Sequence, residues 1–507
     1  MPDALTHLTH FPIEANAKKV LDTERIARTK ENASGASVRQ MALRPYQAAL
    51  VDQLRDAFRI GYRAPLLQLA TGGGKTVVFT AITASAHGRG KRVLVAAHRR
   101  ELIRQAGAKL TAARVPHGII APGHAETADM VQVGSIQTLA RRLDRLPAFD
   151  LVVLDEAHHA VAAQWTALRT AQPQARILGV TATPARLDGK GLGVGAGGIF
   201  DVLIEGPLIG ELTRDGFLAP ARYFVPERRI DTNDVRTVAG DFSVAGLEEL
   251  LASDSRITGD AIESYRRHAA HRPAICFVAT VHHGQVVAAQ FREAGYRAAC
   301  VHGALAADQR DKLIAGLGTG EVEVLMSCEL ISEGLDVPAV AAVILLRPTQ
   351  SLGLHLQQIG RGLRPVPGKE HLIVLDHVGN VLEHGRADDA RTWTLAAGLA
   401  RDAGDKAAAP VKRCEACGMA NATAARTCES CRAEFPVKEP DLNPAPGHLV
   451  ELTRERIDYL ARQPHHRLRG MMLSEPEVRA IARERGYRCG WAMHYLREQA
   501  DRLGVGT

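Results

Sequence analysis

The 507-residue chain carries two trains of short apolar runs, each run followed by a stretch with helical spacing. In the first train the runs are RVLVAAH (92–98), MVQVGSIQ (130–137), FDLVVLDE (149–156) and RILGVTATP (176–184). In the second they are PAICFVAT (273–280), YRAACVHG (296–303), VEVLMSC (322–328), AAVILLR (341–347) and HLIVLD (371–376). A strand with one wet face alternates apolar and polar residues. An unbroken apolar run instead predicts burial on both faces, as in a parallel sheet covered by helices. The pattern therefore predicts an α/β chain with two parallel-sheet units in tandem. Residues 1–40 are polar and read as an N-terminal extension, 41–226 as the first unit, 227–262 as linker plus helix, and 263–400 as the second unit. Two small elements follow, at 411–435 and 447–507.

Composition narrows the class only a little. Hydrophobic residues make up 46% and charged residues 23%, the balance of an ordinary globular protein. No apolar run reaches the ~18 residues of a membrane span, and the first residues lack the apolar stretch of a signal peptide. A cytoplasmic location is therefore expected. The net charge of +7 is compatible with a polyanionic partner without demanding one. GLGVGAGG (191–198) contains a G-x-G-x-x-G spacing, but it does not join a strand to a helix, so it reads as a loop and not as a dinucleotide site.

Chemistry concentrates in a few places. LLQLATGGGKT (66–76) passes from a strand-like run through Thr71, Gly72, Gly73 and Gly74 into a helical stretch that opens with Lys75 and Thr76. Glycines let backbone N–H groups converge, and a helix N-terminus attracts anions, so the segment has the parts of a phosphate cradle. Lys75 would reach the β- and γ-phosphates and the Thr76 hydroxyl would ligate Mg²⁺. The usual first glycine is replaced by Leu69, which leaves a plain glycine-rich turn open as the rival reading. LVVLDEAH ends a buried strand on Asp155 and Glu156. The first suits a water-mediated Mg²⁺ contact, the second a role polarising the attacking water. A surface turn is the bland alternative. In QQIGRGLRP (357–365), Arg361 and Arg364 fall about one helical turn apart, where both can address one γ-phosphate.

Together and in this order, A-T-G-G-G-K-T, D-E-A-H, T-A-T-P and Q-x-x-G-R-x-x-R resemble the motifs of superfamily 2 helicases. The resemblance implies two RecA-like domains with ATP and Mg²⁺ between them, and in that superfamily the leading P-loop position is often not glycine. It implies adenine recognition by Gln47 in LRPYQ, and coupling of hydrolysis to strand contacts through His158, Thr181 and Thr183. Arg361, Arg364 and Gln357 would act from the second domain, an arginine of this kind contributing about 10³–10⁵ in rate. Gly334 and Asp336 would contact ribose or the neighbouring domain. Arg99 in AAHRREL, Gln137 and Thr138 in VGSIQT, Thr280 in FVAT, and His302 and Gly303 in VHG are the implied nucleic-acid contacts.

Four of the eight cysteines lie in CEACGMANATAARTCESC, where Cys414-x₂-Cys417 and Cys428-x₂-Cys431 are separated by ten residues. Two such knuckles supply the four thiolates of a structural Zn²⁺ site. Two disulfides are the rival, disfavoured in a reducing compartment. So short a segment is not expected to bury a core, which would leave the metal to supply on the order of 10 kcal/mol of its folding free energy. The helicase motifs followed by a Cys₄ ribbon are similar to the bacterial RadD-type helicase-like ATPases over about residues 43–435. That likeness implies action on DNA in repair or recombination, with single-strand-binding protein or recombination proteins as partners. A restriction or defence motor, an ATP-gated scaffold and an RNA helicase stay open beside it, although no P-D-(D/E)-x-K nuclease pattern is apparent. The Arg-rich tail at 447–507 interleaves Trp491 and Tyr495 with Arg485, Arg488 and Arg497, a pattern that suits either base stacking or an amphipathic helix.

Overall fold

The computed structural model describes residues 43–435 and 454–502, apart from short segments at 161–162, 187–188, 227–228, 239, 254–255, 329–339, 397–410, 423–424, 470, 472 and 488–489. The expected N-terminal extension, together with Gly334, Asp336 and Arg488, lies outside the described residues. The described chain forms two compact units, one ending at Phe435 and the other lying beyond it.

The first sheet of the larger unit holds seven parallel strands in the order β3-β4-β2-β5-β6-β1-β7. They are β1 (Pro65–Gln68), β2 (Val93–Ala97), β3 (Gly118–Ile120), β4 (Val131–Ser135), β5 (Leu151–Asp155), β6 (Arg176–Thr181) and β7 (Val202–Glu205). Strands β1, β2, β4 and β5 are buried at every residue, as their unbroken apolar sequences require. Helices α1 (Pro45–Arg59), α2 (Lys75–His87) and α3 (Arg100–Ala112) cover one face through Leu54, Phe79 and Leu110. Helices α4 (Ile136–Leu139) and α5 (Ala163–Ala171) help close the other over Leu94, Leu154 and Phe200.

After α6 (Ile209–Arg214) the chain enters the second sheet earlier than the hydrophobic pattern suggests. Strand β8 (Ala221–Phe224), placed by sequence with the first unit, pairs parallel with β15 (Leu372–Asp376) of the second. The linker then folds into the hairpin β9 (Thr237–Val238) and β10 (Asp241–Phe242), followed by α7 (Val244–Ser253) and α8 (Arg256–Ala269). Strands β11 (Ala274–Phe277), β12 (Ala298–Val301), β13 (Val324–Ser327) and β14 (Ala342–Leu345) alternate with helices α9 (Val281–Glu293), α10 (Ala307–Thr319) and α11 (Leu352–Gly360). After β15 comes α12 (Asn380–His384).

The cysteine segment is built into this sheet and does not stand apart. Strands β16 (Val411–Arg413) and β17 (Met419–Ala422) form a hairpin, and β17 pairs antiparallel with β8, giving the order β12-β13-β11-β14-β15-β8-β17-β16. Met419, Phe435, Cys414 and Cys428 share one apolar cluster with Phe224, Ile344 and Leu375. The expectation that so short a segment buries no core is therefore corrected: it borrows the core of the domain before it.

A strap returns from the second domain to the first. The Arg391 guanidinium donates to the carbonyls of His384, Arg386, Ala387 and Asp389, winding the chain after α12 into a tight loop. Trp393 beyond it is buried, and Gly193 N–H donates to the carbonyl of Leu395 (2.9 Å). The GLGVGAGG segment is thus the dock for this strap.

The smaller unit contains α13 (Arg454–Arg462), α14 (His465–Arg469), α15 (Glu475–Glu484) and α16 (Gly490–Arg502) around Leu460, Leu468, Val478, Ile481 and Tyr495. Tyr495 is a core residue whose hydroxyl donates to Leu468 O. Arg485 donates from Nε to Ala461 O (2.8 Å), so both serve the packing of this unit. Trp491 is half-buried and donates from Nε1 to His465 Nε2 (3.2 Å).

Candidate active site

Strands β5, β6 and β1 are neighbours running the same way, so their carboxyl ends place Asp155, the Thr181–Thr183 turn and the Leu69–Gly74 loop on one edge. Carboxyl ends of parallel strands are where open α/β sheets bind ligands. Leu69 is fully buried in the first core, and its N–H donates to Thr181 O (3.0 Å). The side chain that replaces the usual glycine thus anchors the loop. Backbone freedom comes later, from Gly72 and Gly74 with φ of +88° and +89°. Lys75 and Thr76 are the first residues of α2, where unpaired N–H groups and the helix dipole favour an anion.

Two α1 side chains hold the loop from behind. Tyr46 Oη (2.7 Å) and Gln47 Nε2 (3.0 Å) both donate to the carbonyl of Gly73. Gln47 Oε1 accepts from Arg44 N–H (3.0 Å), so both ends of this amide are engaged with protein. The amide oxygen keeps a second lone pair for a further partner. Tyr46 was not picked out in the sequence, although it adjoins Gln47.

Asp155 and Glu156 are both buried, at 5% and 4% exposure. Glu156 has the left-handed backbone φ of +49°, and its N–H donates to Asp155 Oδ1 (3.0 Å). Burial, then the charge of Glu156, pushes the Asp155 carboxyl up to about 7; Lys75, the Glu156 N–H and Arg361 act in the opposite direction. Two adjacent buried carboxylates beside the Thr76 hydroxyl offer oxygen donors of the kind Mg²⁺ prefers. Asp155 would hold that ion with Thr76, and the ion would supply charge neutralisation for a bound triphosphate.

Glu156 connects to the threonine turn through His158. Thr181 Oγ1 donates to Thr183 O (3.1 Å) and accepts from Thr183 N–H (3.2 Å). His158 Nδ1 lies within hydrogen-bond distance of Thr181 Oγ1, at 3.1 Å. The same nitrogen lies 3.5 Å from Glu156 Oε2. Gln68 Nε2 donates to Ala182 O (3.0 Å), tying the turn to β1.

The second domain reaches this edge with α11. Ser351 caps the helix, its Oγ accepting from Leu354 N–H (3.1 Å). Its far end lies on the phosphate loop: a Cβ at Gly360 would stand 2.4 Å from Thr71 Cβ, and one at Gly72 would be 3.8 Å from Gly360 O. Only a residue without a Cβ permits that approach. Arg361 is buried and its charge is felt by Asp155; Arg364 Cγ lies 3.8 Å from the Gly72 Cβ position, and burial lowers its pKa. Gln357 is buried on the same helix. The structure thus brings together residues 71–76, Asp155, Glu156, His158, Thr181, Thr183, Arg361 and Arg364.

The implied strand contacts are scattered by comparison. Gln137 is exposed, donates to His98 O (3.1 Å) and accepts from Ser135 Oγ (2.6 Å). Arg99 is the N-cap residue of α3; His302 is half-buried and Gly303 exposed ahead of α10. Thr138 is buried, and so is Thr280, whose Oγ1 caps α9 by accepting from His283 N–H (3.1 Å). Between these sets, two ion pairs unmarked in the sequence cross from α3 to α10. Arg104 engages Asp311 (2.7 Å), and Arg310 lies 3.6 Å from Glu101. No spacing rule separates them from ordinary surface charges.

The four cysteine sulfurs lie within 4.8 Å of one another, with Cys414–Cys431 and Cys417–Cys428 each at 3.6 Å. Those separations are far beyond a disulfide bond and near the ~3.8 Å edge of a tetrahedron with ~2.3 Å metal–sulfur bonds. Asn421 Nδ2 donates to Cys428 Sγ (3.6 Å), and the Cys428 thiol falls to about 6 through nearby N–H groups. The set fits zinc.

Comparison with known proteins places the chain in context. Residues 40–186 match the family model described as the res subunit of type III restriction enzymes, and residues 258–366 match the helicase conserved C-terminal domain. A 51.5 kDa protein of a Lactococcus phage is 32% identical over 376 residues, covering 74% of this chain and 79% of that protein. Irc3 of Saccharomyces cerevisiae, named as an ATP-dependent helicase, is 31% identical over 361 residues, covering 66% of this chain and 51% of Irc3. The chain thus spans about half the length of that yeast relative. A fragment of a type I restriction enzyme HsdR subunit from Vibrio vulnificus shares the fold, with TM-score 0.50, 22% identity, and 66% and 64% of the two chains covered.

Two outcomes follow from this geometry. Gly360→Ala forces α11 off Thr71, so steady-state ATP turnover should fall about 100-fold; wild-type turnover would show that the contact is dispensable. Asp155 binds a proton more tightly folded than unfolded, so without metal its contribution to stability falls as pH rises from about 4 to about 7. Asp155→Asn should therefore raise the metal-free melting temperature at pH 8 and have little effect at pH 4, as read by calorimetry.

Proposed function

The chain belongs to the superfamily 2 helicase-like ATPases, and on that premise we propose that it is a nucleic-acid motor that uses ATP to move on or remodel DNA. The carrying observation is the seat of Gly360 and Arg361 on the phosphate loop beside Asp155. ATP bound through residues 71–76 would have Asp155 and Thr76 on its Mg²⁺, Glu156 orienting water, and Arg361 with Arg364 neutralising charge on the transferring group. Because cations and cradle come from different domains, each hydrolytic cycle would close and reopen the cleft. His158 and Thr181 link the hydrolytic carboxylate to the turn that Gly353 of α11 also approaches, so the same motion would reach the strand-binding face.

The positive net charge and the position of Arg99, His302 and Gly303 at the starts of α3 and α10 support a strand crossing both domains there. DNA in repair or recombination, as in RadD-type proteins, is the favoured setting, supported by the motif set followed by the Cys₄ ribbon. A restriction-type motor is the second reading, favoured by the res-subunit match across residues 40–186. The ribbon would hold one structural Zn²⁺ with no open ligand position. Among the described residues no helix is long and apolar enough to cross a membrane.

Lys75→Ala should abolish ATP hydrolysis, a loss of at least ~10³-fold. In the wild type, single-stranded, branched and duplex DNA and RNA compared in parallel should show stimulation, strongest with DNA. Equal, unstimulated rates with all four would overturn the motor reading. Metal analysis of the purified protein should find one zinc per chain; because β17 is paired to β8, its removal should lower the melting temperature of the second domain and not merely release the ribbon.

A further inference from the structure

The loop that carries the two arginines is short, and its backbone bonds to the end of α11 stop at Leu363, whose N–H donates to Gly360 O (3.4 Å). It begins where α11 ends at Gly360, passes through Arg361–Pro365 and turns back at Val366–Lys369, where Lys369 N–H donates to Val366 O (3.0 Å). Leu363 anchors its middle, buried in the core with its carbonyl accepting from Ala219 N–H (2.7 Å). Its two flanks are gathered by one side chain. Lys369 Nζ donates to Gly362 O, to Arg364 O (3.0 Å) and to Val340 O (2.7 Å), the last on the approach to β14.

An ammonium is the group that three converging carbonyls call for. It has three donors and no acceptor, radiating from one nitrogen, whereas a guanidinium spreads its donors over a flat fork and needs carbonyls set around that plane. Without the ammonium, Leu363 would still anchor the middle of the loop, but the carbonyls of Gly362 and Arg364 on either side would lose their common tie and the arginine side chains their fixed aim. Such misplacement costs rate without abolishing ligand binding.

We propose that Lys369 is a positioning residue for phosphoryl transfer, its ammonium fixing the carbonyls of Gly362, Arg364 and Val340 so that Arg361 and Arg364 stay aimed at the phosphate loop. The proposal rests on the reading of those two arginines as trans-acting groups. Burial, and then the charge of Arg364, bring Lys369 down to about 8. Val340, Gly362 and Leu363 around it are apolar, and Glu370, next in the chain, is exposed. The ammonium is therefore complete below about pH 8 and is lost as pH rises through that value, taking the third donor with it.

The test uses the full chain with saturating single-stranded DNA, reading kcat and KM for ATP, binding of a fluorescent ATP analogue, and the melting temperature. Lys369→Met should lower kcat about 10- to 100-fold, with analogue affinity within about twofold of wild type. Wild-type kcat should fall above about pH 8; Lys369→Arg should recover part of the rate lost in Lys369→Met and, being charged at every assay pH, should not show that fall. Wild-type kcat in Lys369→Met, an equal loss of analogue affinity, or an unchanged basic limb in Lys369→Arg would each overturn the proposal. Should Lys369→Met fail to fold, the limb in Lys369→Arg still decides. Arg361→Ala separates the two levels: if it is inactive while Lys369→Met is normal, only the positioning role falls. If Arg361→Ala keeps full turnover, the arginine reading falls and this proposal with it.

Discussion

Everything in the catalytic arrangement depends on how closely two backbones meet. Gly360 closes α11 against Thr71 at a separation that leaves no room for a side chain, and Gly72 faces the same contact from the other domain. An arginine side chain has a fixed reach. If the helix end stood off by the width of a methyl group, Arg361 would act on Asp155 through solvent and its field there would be largely screened. The closeness of the backbones therefore converts a domain interface into an electrostatic one. It also explains why Asp155 can be buried beside Glu156, since the cations that offset the pair arrive from both sides of the cleft.

Much of this was legible in the residues. Unbroken apolar runs gave both parallel sheets because helices cover each face, and the order of the motifs fell at the carboxyl ends of β1, β5 and β6, where parallel strands leave their termini open. Leu69 shows the limit of a local rule. Taken alone it is a defect in a glycine loop; in the fold it is a core residue, and its backbone pairs with Thr181, a partner more than a hundred positions away. Nothing local could have announced that.

Two of the misses, β8 and the cysteine segment, share one cause, contacts between segments distant in sequence. β8 carries a pattern that fits either sheet, and only its pairing with β15 decides. The metal ligands of the cysteine segment are local, whereas Met419 and Phe435 find their core in residues as far back as Phe224. Thr280 in FVAT is in addition the N-cap of α9, its hydroxyl oxygen accepting from His283 N–H. The strap from Arg386 to Leu395 has no periodicity at all, and its first turn is shaped by Arg391 bonding four neighbouring carbonyls.

The ribbon's place in the sheet has a further meaning for solubility. β8 is paired on one side by β15, and its other side is satisfied by β17. Were the ribbon to let go, β8 would present a bare row of amides beside a fully buried tyrosine, the kind of template on which a second chain can add itself. With the ribbon seated, the rim of the sheet is instead β16, three residues long and bearing Lys412 and Arg413. A short, charged rim is a poor template for another strand. The cysteine segment thereby covers the edge of β8 with a rim on which another strand adds poorly.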